Sequence, residues 1–494
     1  MTFPKKSKPV QRNAVRSLIY DIPAWTPSGE RESAFANGLL RPMVRHVEES
    51  RKKTQDIIAR LRATWLGRFY INHLKQYSCI RWLVSWLWRN LYPIYLNFLA
   101  GVAIHLRDRQ AMRWRRLIQL SKLTAAQNMF KVRLADPELV QTLTPKAYPE
   151  EDRICLRPPY ESYIFPELFV LGINNGRVYG GTNLILFKNQ VICHDLYDFK
   201  RDYTSEELHG RTLIDPKSNR IRWLLHDEAP EPIPVAAAFV DACAFNYAHW
   251  MTEVLPRIAL FCNEPQFNRI PIVVDEGLHE NIMESLFLVT GPEREIITLP
   301  IGRALFVDTL YLTSVAGYVP FERRSNKLSG HSHGKFSPQA FELLRNRMEK
   351  FRGKHRGEFP EKIFLHRNSG YRKVVNVNEI EKVLVDRGYV IVEPEKLTFL
   401  EQFQIFRNAS EVISPTGAAL SNAIFCKSGT RLGVLMAKHK NMIYRYWLNM
   451  LTPLQIEVSY VLGEIVSKYD IGIHADSYVN PQNIFELLEM WQKQ

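Results

Sequence analysis

The pattern of apolar and polar positions divides the chain into stretches of different periodicity. Residues 1–40 mix Pro, Ser, Gly, Arg and Lys without a period and predict loop. From Val44 to about Leu123 apolar residues recur at helical spacing with no Gly/Pro cluster, which predicts helix. Residues 151–233 carry short β-prone runs instead: Tyr163-Ile164-Phe165, Leu168–Leu171, Leu184–Phe187 and Arg220–Leu225. Asn174-Asn175-Gly176 and Gly180-Gly181 predict turns between them, and the Pro-rich Ala229–Pro234 reads as a linker.

From Val235 strands and helices alternate. Val235–Val240 suits a buried strand. Asn246–Phe261 predicts a helix with Trp250, Val254, Ile258 and Phe261 among its apolar positions, while His249, Glu253 and Arg257 share one face. Ile270–Val274, Glu295–Leu299 and Leu305–Leu312 predict strands, and Glu280–Val289 a helix. The apolar stripe Phe341, Leu344, Met348, Phe351 follows a Ser337-Pro338 helix start. Strands are expected at Lys362–His366, Tyr389–Val392, Glu411–Ser414 and Arg431–Met436. Between them lie helices at Asn378–Arg387, stopped by Gly388, and from the Thr398-x-x-Glu401 capping box to Asn408. A third helix, around Leu420–Phe425, follows the tight turn Thr416–Ala419. Such alternation across short loops predicts parallel, doubly wound sheets. The expected architecture is α/β, with two Rossmann-like units facing a cleft. Residues 1–150 form a basic helical region, 151–335 the first unit with its β-rich lead-in, and 336–494 the second.

Charge sharpens this division. The net charge of +14 over 494 residues comes from residues 1–150, which carry +16, whereas 151–494 carry −2. That balance argues against a nucleic-acid binder. Six of the ten tryptophans also lie in residues 1–150, and 17 residues between Arg89 and Arg107 hold no charged side chain. Spanning a bilayer takes about 20 apolar residues. Aromatic rings with basic flanks fit an anionic membrane surface, reached through residues 44–123. Packing of residues 82–106 against the body or a second copy of the chain, as a homo-oligomer, and a true span are the other readings. The six cysteines form no CxxC pair, so no thiolate metal site is expected, and their sparseness suggests a reducing compartment. The N-terminus shows no secretory pattern.

The candidate chemistry falls in two places. His249 and Glu253, one helical turn apart, suit deprotonation of a hydroxyl; a solvated helix face with i,i+4 pairs is the plainer reading. In the second unit Arg367 follows a strand, with Arg372 five residues on, and Pro415–Ala419 is a small-residue turn opening a helix. Ligands bind beyond the carboxyl ends of such strands. Exposed backbone N–H groups and guanidinium groups suit a diphosphate. His331-Ser-His333 reads as a loop and Asp275-Glu276 as a strand-end turn. Two α/β units with a phosphate site in the second suggest a glycosyltransferase of the GT-B kind, with the acceptor in the cleft.

Several stretches resemble glycosyltransferase family 61. Asn246-x-x-His-Trp-x-x-Glu-x-Leu-Pro-Arg257 is similar to that family's N-x-x-H-W-x-x-E/D-x-L-P-R signature. Arg367, Arg372 and Asn376 match its R-x(4)-R-x-(I/V)-x-N element, and Leu397–Gln402 its L-S-x-x-E-Q. Ser414–Asn422 resembles G-x-H-G-A-x-L-T-N, with Thr416 where the family has His. The resemblance covers about residues 235–436. It implies a nucleotide-sugar donor as co-substrate, a glycan or lipid-linked acceptor, inversion at the anomeric carbon, and no cofactor or obligatory metal. His249 or Glu253 would be the base. Arg367, Arg372, Asn376, Thr416, Gly417, Ala418 and Asn422 would hold the donor, with Asn246, Arg257 and Gln402 as further site residues. Bacterial relatives serve capsule and surface-polysaccharide synthesis, which implies a cytoplasmic enzyme peripheral to the inner face of the cell membrane. Thr416 cannot carry a positive charge, so a catalytically degenerate scaffold of a glycan-assembly complex is the alternative.

Overall fold

The computed structural model describes residues 114–123, 130–156, 162–198, 202, 204–208, 212–223, 230–320, 334–352, 359–368, 372–439, 444–466 and 475–493. It also describes 64–74, 77, 79–80, 82–84, 86–87 and 91. Most of the candidate membrane segment 82–106, and His331-Ser-His333, lie outside these residues.

Two mixed sheets carry the fold. In the first, four parallel strands run in the spatial order β3-β2-β1-β4: β1 Glu231–Ala238, β2 Ile272–Asp275, β3 Ile296–Leu299 and β4 Ala304–Thr313. Leu168–Tyr179 pairs antiparallel with β4 and extends the sheet through Ile185–Phe187, Gln190–Cys193, Trp114–Gln119, Arg220–Trp223 and Thr212–Asp215. The second sheet has the order β6-β5-β7-β8-β9: β5 Lys362–Leu365, β6 Val390–Val392, β7 Glu411–Pro415, β8 Arg431–Ala437 and β9 Glu457–Ile465. Its inner strands β7 and β8 are buried almost throughout, as apolar parallel strands must be with both faces covered.

Each sheet has one point where the chain reverses its direction of winding. In the first, the chain moves from β1 to β2 and β3 on one side, then returns to β4 on the other. In the second it moves from β5 to β6, then crosses back to β7. The crevices between the carboxyl ends of β1 and β4, and of β5 and β7, are where doubly wound sheets bind ligands.

Helices cover the sheets. Tyr247–His249, a π-helical turn at Trp250–Val254 and Leu255–Asn263 run on as one helix, α1. Asn246 caps it, its side chain accepting from Ala248 N at 3.0 Å. Helices α2 Glu280–Thr290 and α3 Pro338–Glu349 follow, the latter capped by Ser337. Next come α4 Val377–Val385 and α5 Phe399–Asn408, α5 closed by the Thr398–Glu401 capping box. The last are α6 Arg445–Leu451 and α7 Pro481–Gln492. One core runs through both units: Trp250, Val254, Ile258 and Phe261 of α1 and Phe399 of α5 are fully buried in the same cluster as Phe425 and Val434.

Four expectations are corrected. Helix over 44–123 gives way at Trp114–Gln119 to a strand held between Gln190–Cys193 and Arg220–Trp223. Lys146–Tyr148 likewise joins β9, so residues before 150 complete both sheets. Asn174-Asn175-Gly176 is no hairpin. Asn175 takes a left-handed φ of 60° while the strand continues in register, because Gly176 lets Leu310 of β4 close over it. Ala229–Pro234 is no linker either: from Glu231 it is already β1. Pro232 and Pro234 share one side of the strand, and along that half only β4 pairs with it; β2 joins at Ala237. A proline is tolerated where no ladder bond is required of it.

Candidate functional site

The buried side of α1 sets what its other side presents. Trp250, Met251, Val254 and Leu255 are fully buried, and Trp250 Nε1 donates to Ser285 Oγ at 2.8 Å, which fixes the rotation of the helix. His249, Glu253 and Arg257 then face away from the core. Such π-turns are frequent at functional sites. Within this one, His249 Nδ1 and Glu253 Oε1 lie 2.6 Å apart, and their side chains keep 11% and 12% of their exposure.

This pair binds protons tightly. Burial lowers the affinity of the His249 imidazole, but the charge of Glu253 and the hydrogen bond to it more than reverse this, so its pKa is raised. Burial raises the Glu253 carboxyl, against the pull of His249 and Arg257, and Asp241 adds to the rise. Both groups thus hold a proton more tightly than they would in water.

Tyr446 of α6 lies near the pair. Burial raises its hydroxyl, with the Glu253 charge adding to the rise and a hydrogen bond with Thr252 and the Arg372 charge opposing it. Arg372 takes a left-handed φ of 59°, a strained conformation for a side chain of its size. Tyr446 was not anticipated. It lies on a short helix beyond the βα pattern, and the packing of α6 against the Lys335–Phe336 strand, β9 and the Ala418–Phe425 helix brings it here.

In the second unit the crevice between β5 and β7 holds Arg367 and Gly417 in contact. A Cβ on Gly417 would lie 2.3 Å from Arg367 Nη1, so the guanidinium rests on the bare backbone of the turn. The turn leads into the 3-10 helix Ala418–Phe425, whose first N–H groups open beside that guanidinium. Thr416 N donates to Leu435 O at 2.9 Å, and its Oγ1 accepts from Trp447 Nε1 at 3.2 Å. The hydroxyl keeps its own hydrogen to donate.

The remaining sequence candidates separate from these two clusters. Asn422 and Gln402 are buried in a chain that ties the units together: Tyr247 OH donates to Asn422 Oδ1 at 2.7 Å, and Asn422 Nδ2 to Gln402 Oε1 at 2.7 Å. Gln402 Nε2 in turn donates to Pro394 O at 2.9 Å. Asn376 bonds Val479 through both ends of its amide, which pins the start of α4. Asn246 is the cap of α1. These four position the site's elements. Asp275, read as a turn residue, is buried at the end of β2 and accepts from Asp241 N at 2.7 Å. Among the described residues no cluster of His, Cys, Asp and Glu is arranged to hold a metal ion.

A search of curated proteins finds no match to the chain. Residues 247–433 match the family model described as Glycosyltransferase 61. The match begins at the first residue of α1 and ends within β8, so it takes in the His249–Glu253 pair, both arginines and the Thr416–Ala418 turn. The chain carries a glycosyltransferase family 61 domain and is a glycosyltransferase.

Proposed function

We propose that the enzyme moves a sugar from a nucleotide-sugar donor to a glycan or lipid-linked acceptor, with inversion and no required metal, in a GT-B-like cleft. The observation that carries the reading is the Arg367–Gly417 contact at the β5/β7 crevice. Guanidinium groups and backbone N–H groups meet a diphosphate's charge without a cation. Arg367 and Arg372 grip the diphosphate, and the N–H groups after Gly417 and the Thr416 hydroxyl donate to it. The His249–Glu253 pair takes the proton of the acceptor hydroxyl. That oxygen bonds to the anomeric carbon from the face opposite the leaving group, and the bond from carbon to phosphate oxygen breaks. The nucleoside diphosphate leaves with its electron pair stabilised by donors already in place.

A thermal-shift titration with UDP, GDP, CMP and ADP on the wild type and Arg367→Ala tests this. Stabilisation by one nucleotide, lost in the variant, is expected; no response to any of the four would overturn the donor site. An anomeric configuration of the product identical to the donor's would overturn inversion.

We further propose that the enzyme works at the inner, cytoplasmic face of a bacterial membrane on a surface polysaccharide. What supports this is the basic N-terminal region together with its large apolar side chains: Trp65, Leu66, Trp82, Leu83 and Trp86 are all exposed. Aromatic rings with cationic flanks favour an anionic bilayer surface. No described helix is long and apolar enough to cross a membrane. Co-sedimentation with anionic but not neutral vesicles is the expected result; no association with either would overturn it.

A further inference from the structure

The first sheet's own crevice, between the carboxyl ends of β1 and β4, is not used by the chemistry above. It opens into a recess of about 40 Å³ lined by Ala238, Val240, Thr313, His194 and Arg257. At roughly 10–15 Å³ for each water, this holds a group of a few heavy atoms and not a sugar ring.

The recess has unmet polar groups at its walls. Arg257 Nε, His194 Nδ1 and Thr313 Oγ1 are buried with no hydrogen-bond partner among the described residues. Arg257 makes one long hydrogen bond, Nη2 to Ala238 O at 3.5 Å, and its guanidinium lies 5.6 Å from the centre of the Phe239 ring. No ion pair of Arg257 is formed among the described residues. Asp241, the nearby acid that holds it charged, has both oxygens engaged, by Cys243 N and Asn183 Nδ2. A recessed cation with a buried donor left unpaired is costly until an anion completes it. His194 packs on the Tyr318 ring at 4.4 Å. Burial and the Arg257 charge lower its pKa to about 3, so it stays neutral and leaves Arg257 the recess's one cation.

Arg257 also stands one turn beyond Glu253 on α1, within reach of its charge. A group seated against Arg257 therefore places the sugar that bears it beside the base. We propose that this recess binds the carboxylate of an acidic acceptor sugar, a hexuronate, with Arg257 as its anchor and Thr313 and His194 completing the contacts. The inference rests on the glycosyltransferase reading of the His249–Glu253 site.

The test is a titration of the whole chain with methyl glucuronide and methyl glucoside, which differ at C6 by carboxylate against hydroxymethyl, followed by saturation-transfer NMR. Acetate and inorganic phosphate are the controls. The glucuronide is expected to bind about tenfold or more tightly than the glucoside, the ratio a single charge-assisted contact supplies. Arg257→Gln is expected to remove that preference. Thr313→Val, which leaves the guanidinium in place, is expected to weaken the glucuronide alone and serves if Arg257→Gln fails to fold. Equal binding of the two sugars would overturn the proposal. So would acetate or phosphate binding as tightly as the glucuronide, which marks a simple anion site. The UDP, GDP, CMP and ADP titration on the same sample separates the two readings. Loss of the sugar preference with nucleotide binding intact removes only this inference; loss of nucleotide binding removes the glycosyltransferase site beneath it.

Discussion

Replacing Glu253 by Gln changes one atom and removes the charge that holds the His249 proton. In the wild type the carboxylate lies 2.6 Å from His249 Nδ1, and its charge and hydrogen bond outweigh the burial that lowers the imidazole. A hydrogen bond to a charged group contributes about 1.5–3 kcal/mol. Its loss lowers the His249 pKa. The sign follows from the role. The pair accepts a proton only after losing the one it holds, so activity rises with pH through a wild-type value above the ordinary 6.5 of histidine. In Glu253→Gln burial is left as the dominant influence on His249, so the acid limb of kcat/KM moves to lower pH. At the alkaline plateau kcat falls by about 10²–10⁴, the contribution of general-base catalysis. The assay is the pH profile of sugar transfer in both proteins, with melting temperatures matched. An acid limb that stays put, or moves upward, would refute the coupling. A plateau within about threefold of wild type would remove Glu253 from proton transfer, since general-base catalysis contributes far more.

Three further outcomes follow from the geometry. Gly417→Ala keeps a permitted extended backbone, φ −177°, but sets a methyl group against the Arg367 guanidinium, so nucleotide affinity should fall about tenfold with the melting temperature unchanged; calorimetric titration reads both. Asn422→Ala cuts the buried Tyr247–Asn422–Gln402 chain and should cost about 1–3 kcal/mol in urea unfolding, the range for a stranded buried polar group. Trp250→Ala empties the largest fully buried site in the core and should cost about 3–5 kcal/mol, visible as a large drop in urea midpoint; a loss under about 1 kcal/mol would contradict the packing of α1.

What could be read from the sequence was whatever local chemistry decides. The strands β5, β7 and β8 are apolar runs bounded by turns, and the ends of α3 and α5 are written in Ser337-Pro338 and Thr398–Glu401. The face shared by His249, Glu253 and Arg257 followed from spacing alone. Local signals failed where a neighbouring strand overrode them. Pro232 and Pro234 read as a linker because the one-sided pairing that tolerates them is set by β4, some 70 residues on. Asn175 read as a turn because Leu310 is not visible from its own neighbourhood. Trp114–Gln119 looked helical until Gln190–Cys193 and Arg220–Trp223 paired with it. The site divides the same way. The motifs pointed to Arg367 and Gly417, but not to Tyr446 or the His194 recess, since both are assembled by strand order and packing. The π-turn beneath the His249–Glu253 pair left no mark in the residue types. Sequence grouped Asn376 and Asn422 with the donor site and Gln402 with the further site residues because of where they stand in the motifs, whereas their amides are engaged in holding elements together.

In the proposed reaction the labour is divided: Arg367 binds the donor, and the His249–Glu253 pair works on the acceptor. The most direct measurement is the dissociation constant of the stabilising nucleotide for wild type, Arg367→Ala and Glu253→Gln, taken side by side. Arg367→Ala should lose nucleotide binding while Glu253→Gln keeps the wild-type constant and loses only turnover. Comparable loss of nucleotide binding in both variants, or in neither, would contradict it.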